Sequence, residues 1–262
     1  MTSSNPAARA TPRISAQNAQ FATVLVGKES VPFVVHEALL THHSPFFRAA
    51  LNGGFEEATT KTVHLTLATT KIFEFFVHWL YYQRIPNNND DPDLFAAWES
   101  VDDKGFREME NLIHLDVFCE QYDVPSLKRL SLNHLFEHLH EKEGLLPRTK
   151  DILYAYKNMP DDSPLCLFIA DFHRDFAGEY IWAPTRWQKG EAAWVESDGK
   201  ILLTFFAKVL QRYTQSSIQR RAADEELDIC DYHEHKDAKG REACAAKRAT
   251  IELRSPKKKY KA

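Results

Sequence analysis

Short apolar runs separated by turn residues predict a small β-sheet in the first part of the chain. Residues 21–27 contain the run Val24-Leu25-Val26 and end at a glycine, and residues 28–30 have the composition of a turn. Residues 31–35 form a second apolar run, so the pattern predicts a hairpin. The apolar–polar alternation over residues 63–65 predicts a further strand.

Two helices with clear boundary signals are predicted between these strands. The first has helical spacing from His36 to Leu40. The second begins after Ser44, whose side chain can accept a hydrogen bond from a free N–H group at the helix start. Pro45 then occupies the first helical position, where no N–H is needed. Asn52 and the two glycines that follow it end the helix.

The most apolar helix of the chain is predicted over Thr70–Tyr82. Its polar residues form one stripe, made of Lys71, Glu74 and His78 at spacings of three and four. Nearly every other position is apolar. The helix is therefore either buried almost all round or presents a face to a partner.

The remainder of the chain is predicted to be helical, with one interruption. Residues 87–110 are polar and mostly acidic, which indicates an insertion or flexible loop with one helical turn around Phe95 and Trp98. Apolar positions at helical spacing then predict helices that start near residues 112, 127, 152, 164 and 201. The first two are joined by a short proline turn and should form an antiparallel pair. From Thr214 onward the apolar periodicity fades into a charged tail.

Composition and charge restrict the kinds of protein that this chain can be, but they do not indicate its fold. The 262 residues are 44% apolar and the net charge is −4, which allows a sizeable core and argues against a general nucleic-acid-binding surface. No run approaches the ~18 apolar residues that span a bilayer. Residues 1–20 also lack the apolar stretch of a secretory signal. We therefore expect an intracellular protein with no membrane partner and with reduced cysteines.

No pattern typical of an enzyme accompanies the twelve histidines. The chain has no Gly-x-Ser-x-Gly elbow, phosphate-binding glycine loop or His-Glu-x-x-His pattern. His36 is a candidate base, but a half-buried histidine that links strand to helix by hydrogen bonding is the preferred interpretation. Cys119 and Cys166 occupy apolar helix positions and are expected to pack without reacting. We expect no enzymatic activity.

The order strand–strand–helix–helix–strand–helix, followed by a helical pair, resembles the BTB/POZ domain. The segments that carry the resemblance are Phe33 to Leu40 with Ser44-Pro45-Phe46-Phe47, Phe55-Glu56-Glu57, Phe76 to Arg84, and the helical pair around Asp123-Val124-Pro125. The sequence of residues 50–55 is especially similar to fungal BTB proteins.

The resemblance implies an α+β fold, in which a helical cluster is capped by a short β-sheet. On this basis the BTB/POZ domain covers residues 20–140 and an α-helical extension covers residues 141–213. Residues 1–19 are expected to be a disordered lead, and residues 214–262 a charged tail.

The resemblance also implies a partner site at the start of the apolar helix. BTB proteins that recruit a cullin scaffold of ubiquitin ligases carry a hydrophobic-x-acidic motif there, and Ile72-Phe73-Glu74 is similar to it. The apolar side chain could enter a pocket of the partner, while Glu74, near the helix N-terminus, favours a basic group. Alternatively, Glu74 belongs only to the solvated stripe of a core helix, because three-residue patterns are common.

The tail contains the cluster Cys230-x2-His233-x-His235-x8-Cys244. Two thiolates and two imidazoles suffice for a closed tetrahedral zinc site, and metal binding would help a tail with little apolar material to fold. The alternative is a solvated helix with incidental Cys and His residues. The basic run at residues 256–261 could be a nuclear-import signal, a weak phosphate contact or only a solubilising end.

Two functions remain open from the sequence alone. In the first, the protein is an adaptor whose BTB domain binds a cullin, or itself as a homodimer, while the C-terminal half holds a client for ubiquitination. In the second, it is a nuclear oligomerising scaffold or transcription-associated regulator with a zinc-binding tail, although the acidic balance counts against contact with nucleic acid. Neither requires a cofactor beyond the candidate structural zinc. The expected location is the nucleus, the cytoplasm or both.

Overall fold

The computed structural model describes residues 12–89, 91–99, 105–142, 145–176, 192–219, 228–235 and 237–254. The elements of these ranges, in chain order, are β1 (Phe21–Val26), β2 (Val31–His36), α1 (Glu37–His43), α2 (Pro45–Asn52), α3 (Glu56–Thr60), β3 (Thr62–Leu65), α4 (Thr70–Tyr82), α5 (Pro92–Trp98), α6 (Phe106–Gln121), α7 (Pro125–Glu141), α8 (Thr149–Asn158), α9 (Pro164–Phe176), α10 (Ala192–Gln219), a 3-10 turn (Ile229–Tyr232) and α11 (Ala238–Arg254). The predicted α+β class is confirmed. The first eleven residues and the basic run at residues 256–261 lie outside the described part of the chain.

The chain divides into two compact units, Met1–Met159 and Pro160–Ala262. The sheet belongs to the first unit and has the strand order β2-β1-β3. β1 and β2 form the predicted antiparallel hairpin, with Val24 opposite Phe33. β3 lies on the other side of β1 and runs parallel to it, so α1, α2 and α3 form the crossover that a parallel pair requires.

The predicted start of α2 is confirmed. Ser44 Oγ accepts a hydrogen bond from the backbone N–H of Phe47 at 3.1 Å, and Pro45 occupies the first helical position. The same hydroxyl donates a hydrogen bond to the carbonyl oxygen of Tyr122, at 2.7 Å. Because Ser44 is completely buried, its hydroxyl both caps α2 and attaches it to the C-terminal end of α6.

Helix α4 is the central helix of the first unit and matches its predicted bounds. Phe76 packs against Phe47 of α2 and Phe118 of α6, with ring centroids 6.0 and 5.1 Å away. Burial of each such side chain contributes about 1.5–3 kcal/mol to folding. His78 differs from the expected polar stripe, because it is buried and its ring stacks on Tyr82. The buried surface of α4 is thus wider than its apolar sequence positions alone indicate.

The acidic segment at residues 87–110 contains more regular structure than the sequence indicates. Helix α5 forms where a single helical turn is expected, and Trp98 at its end is buried against Phe75 of α4, with ring centroids 4.7 Å apart. Helix α6 begins at Phe106, directly after Gly105, whose φ of 93° favours glycine. Trp98 therefore anchors α5 to α4.

In the second unit, a buried carboxylate joins three elements. Asp171 of α9 accepts hydrogen bonds from Arg174, from Arg212 of α10 and from the hydroxyl of Tyr232 in the 3-10 turn. The ring of Tyr232 also packs against Phe168 of α9. We call Asp171, Arg174, Arg212 and Tyr232 the Asp171 cluster. This cluster fixes the 3-10 turn to the helices of the second unit.

The helices of the C-terminal half extend beyond their sequence patterns. Helix α9 starts at the predicted residue 164, and Ser163 caps it, since its Oγ accepts a hydrogen bond from the backbone nitrogen of Cys166 at 3.4 Å. Helix α10 continues to Gln219, and α11 forms where the sequence shows only a charged tail. Among the described residues, no helix combines the length and the apolar character needed to cross a membrane.

Candidate partner-binding groove and Cys/His cluster

The three residues that were predicted to bind a partner lie on two different faces of α4. Ile72 and Phe73 are 3% and 0% exposed and belong to the core, whereas Glu74 is exposed on the opposite face. Of the three, only Glu74 is therefore available to a partner at the surface. Ile72 and Phe73 instead fix the position of the helix that carries it.

Glu74 lines an open groove of about 520 Å³ that β2, α4 and α5 form together. The walls are mainly apolar and aromatic, and the rim is acidic: Phe33, Val77, His78, Tyr81, Tyr82, Leu94 and Ala97 form the walls, and Glu74, Asp91 and Asp93 the rim. No lysine or arginine is among the described residues that line it. Such a groove suits a partner segment that presents apolar side chains together with basic ones.

His36 links β2 to α4 and fixes one wall of the groove. Its Nδ1 atom and the hydroxyl oxygen of Tyr81 lie 2.7 Å apart and share a hydrogen bond. The imidazole also packs against the ring of Phe21, with centroids 4.4 Å apart. The interpretation of His36 as a residue that ties strand to helix is confirmed.

Cys119 and Cys166 are buried, as the sequence predicts for packing residues. Burial raises the pKa of the Cys119 thiol well above its ordinary value, and the nearby carboxylate of Asp116 adds to this effect. A thiol that stays protonated is a poor nucleophile and a poor metal ligand. Any reactivity of these residues towards thiol reagents should therefore be low.

The structure brings together all four residues of the predicted Cys/His cluster. Cys230 lies in the 3-10 turn, His233 and His235 follow the turn, and Cys244 lies on α11. One ligand atom from each residue can be chosen so that all four lie within 4.8 Å of one another. Cys244 Sγ and His233 Nδ1 are 3.3 Å apart. These donors could therefore surround a metal ion.

Charged residues that the sequence analysis did not identify surround the cluster. Arg248, one helical turn after Cys244, donates hydrogen bonds to Cys230 Sγ at 3.1 Å and to Asp228 at 2.9 Å. Arg241 of the same helix donates to Asp228 and Asp231. The spacing of four from Cys244 to Arg248 was visible in the sequence, but nothing local indicated that Arg248 would face a thiol.

The comparison with protein-family models identifies residues 15–101 as a BTB/POZ domain. The matched segment contains the sheet, helices α1 to α5 and every residue that lines the groove. The fold is therefore the α+β BTB/POZ fold followed by a helical extension, and the chain carries a protein–protein interaction module. No curated protein matches the chain.

Proposed function

We propose that the protein is a non-enzymatic adaptor, in which the groove beside Glu74 binds a cullin-type ubiquitin-ligase scaffold and the C-terminal half holds a client. The observation that carries the proposal is the position of Glu74 in a groove of the BTB/POZ domain with aromatic walls and an acidic rim. Such a groove suits a partner helix or strand whose apolar side chains contact Tyr81 and whose basic side chains pair with the rim.

The buried state of Ile72 and Phe73 changes how the cullin motif is interpreted. In this proposal neither side chain enters the partner, because removing Phe73 from the core would expose an aromatic ring that is now 0% exposed. The contact is assigned to Glu74, Val77 and Tyr81, at helical spacings of three and four along the outer face of α4. Cullin as the partner rests on the resemblance of the motif.

The remaining parts of the proposal follow from the sequence. The protein acts inside the cell, in the nucleus or the cytoplasm, and self-association is a further use of the BTB/POZ domain. The resemblance of residues 50–55 to fungal BTB proteins supports placing it in that subgroup. The second unit, from Pro160 onward, is the part of the chain left to recognise a client.

The test is affinity purification of the tagged protein from native extract, followed by mass spectrometry of the bound proteins. Wild type is compared with Glu74→Lys and with Glu137→Lys, a matched charge reversal at an exposed position of α7 that does not line the groove. Reversing Glu74 should weaken the binding of a basic partner by about tenfold or more, which corresponds to ~1.4 kcal/mol. Circular dichroism checks that both variants are folded.

Cullin recovered with wild type and Glu137→Lys, but lost with Glu74→Lys, supports the proposal. If another protein shows this pattern and no cullin is recovered, the groove is a partner site but the assignment to cullin is wrong. Equal recovery of cullin with all three proteins places its binding site elsewhere.

A further inference from the structure

We infer that Cys230, His233, His235 and Cys244 form a closed tetrahedral zinc site that attaches α11 to the rest of the second unit. This inference does not depend on the proposed adaptor function, because the cluster lies outside the matched BTB/POZ domain.

The spacing of the four donors fits a zinc ion. Zinc–sulfur bonds of about 2.3 Å and zinc–nitrogen bonds of about 2.0–2.1 Å give tetrahedral edges of roughly 3.3–3.8 Å. The separation between Cys244 Sγ and His233 Nδ1 is 3.3 Å, slightly below the sulfur–nitrogen edge of roughly 3.5–3.6 Å that these bond lengths give. No pair of the four ligand atoms is more than 4.8 Å apart. Two thiolates and two imidazoles complete the coordination of a structural site and leave no position for a substrate.

One ring nitrogen of the cluster makes no hydrogen bond with the described residues. His235 Nε2 is buried and has no hydrogen-bond partner among the described residues. A buried polar atom without a hydrogen-bond partner destabilises the folded state, because it has lost its contact with water. Coordination of a metal ion by the cluster would give the His235 imidazole the interaction that it lacks.

Over residues 237–248, where side-chain burial is described, α11 is held by this cluster and by the ion pairs of Arg241 and Arg248 with Asp228 and Asp231. Over residues 237–248, the side chains that are not exposed are Cys244 and Arg248, and both face Cys230. Most helical stability in proteins comes from packing of an apolar face, and residues 237–248 bury no large apolar side chain. The attachment of α11 therefore needs another source of free energy, and metal binding provides one because ligands from separate segments must come together around the ion.

The other side of the site is firmly anchored. Ile229 and Tyr232 of the 3-10 turn are 2% and 4% exposed, and Tyr232 belongs to the Asp171 cluster. Three ligands thus lie on or beside a segment that is fixed to α9, and the fourth arrives from α11. Arg248 donates to Cys230 Sγ, which is the kind of outer contact that orients a metal-bound thiolate.

The first measurement is the zinc content of the full-length protein, purified with a reducing agent and without chelators. We expect about one zinc per chain, as for a closed four-ligand site, and less than about a tenth of that for Cys244→Ser and for His235→Ala. Cys166→Ala, which removes a buried thiol from α9 of the same unit, is the matched control and should keep the wild-type content. Cobalt substituted for zinc should give the absorption of tetrahedral sulfur–nitrogen coordination in wild type and lose it in Cys244→Ser.

The second measurement tests the attachment of α11 by hydrogen exchange. Adding a chelator to wild type should increase exchange in α11 to the level of Cys244→Ser, while peptides of β1 and α4 stay unchanged. Absence of bound zinc in wild type, or equal zinc in wild type and both ligand variants, would overturn the inference. A disulfide between Cys230 and Cys244 in the freshly purified protein would also overturn it, because oxidised thiols cannot coordinate zinc.

Discussion

Replacement of Ser44 by alanine tests whether one buried hydroxyl contributes two separate interactions. The substitution removes two hydrogen bonds. One is the helix cap, which Ser44 Oγ accepts from the backbone N–H of Phe47, and the other is donated by Ser44 Oγ to the carbonyl oxygen of Tyr122. It removes a single oxygen and adds no bulk, so packing around the site should hardly change. Ser163→Ala is the matched control, because Ser163 caps α9 in the same Ser-Pro arrangement, and its Oγ makes a single hydrogen bond within the described part of the chain.

The expected magnitude follows from these contacts. Loss of an N-cap costs about 1 kcal/mol, and leaving a buried carbonyl without its donor costs about 1–3 kcal/mol more. Ser44→Ala should therefore lower the free energy of unfolding by roughly 2–4 kcal/mol, against about 1 kcal/mol for Ser163→Ala. In a unit of this size, a loss of 3 kcal/mol corresponds to a decrease in Tm of about 6–12 °C.

The assay combines calorimetry with hydrogen exchange, so that each transition is assigned to its own unit. Peptides of α2 and of the C-terminal end of α6 should exchange faster in Ser44→Ala, whereas peptides of α9 should respond only to Ser163→Ala. A cost for Ser44→Ala no greater than that for Ser163→Ala would refute the reasoning, because the contact with Tyr122 would then contribute nothing.

Two further predictions concern titratable groups. Burial lowers the pKa of His114 to about 4, below the value near 6.5 of an unfolded chain. The unfolded state therefore binds more protons, and the stability that neutral His114 contributes is lost as the pH falls from about 6.5 towards 4. Over this pH range the free energy of unfolding of His114→Gln should fall by on the order of 2 kcal/mol less than that of wild type. Urea unfolding at several pH values measures both proteins. Parallel curves of unfolding free energy against pH would contradict the assignment to His114. Asp171→Asn leaves two arginines without their buried carboxylate and should destabilise the second unit by about 3–5 kcal/mol, measured by hydrogen exchange of α9 and α10. Unchanged exchange there would show that the Asp171 cluster does not stabilise the unit.

Elements with a strong local signal could be predicted from the sequence. The bounds of α4 follow from a run of thirteen residues in which nearly every position outside one polar stripe is apolar. The start of α2 follows from Ser44 and Pro45. The four residues of the Cys/His cluster were identifiable because two cysteines and two histidines in a short segment stand out in a tail that is otherwise charged.

Features that depend on distant residues could not be predicted in this way. The parallel pairing of β1 with β3 is decided by the crossover between them rather than by either strand. The groove requires α5, whose position depends on the contact of Trp98 with Phe75. A local pattern contains no information about such a contact.

Helix α4 also limits how this protein can diverge during evolution. Its inner positions fill the core that the first unit needs in order to fold, so substitutions there are removed by selection whatever the partner. Its outer positions Glu74 and Val77 are less constrained by packing. A duplicated gene could therefore acquire a new binding preference through very few amino-acid replacements, all on one face of one helix, while the ancestral scaffold stays intact.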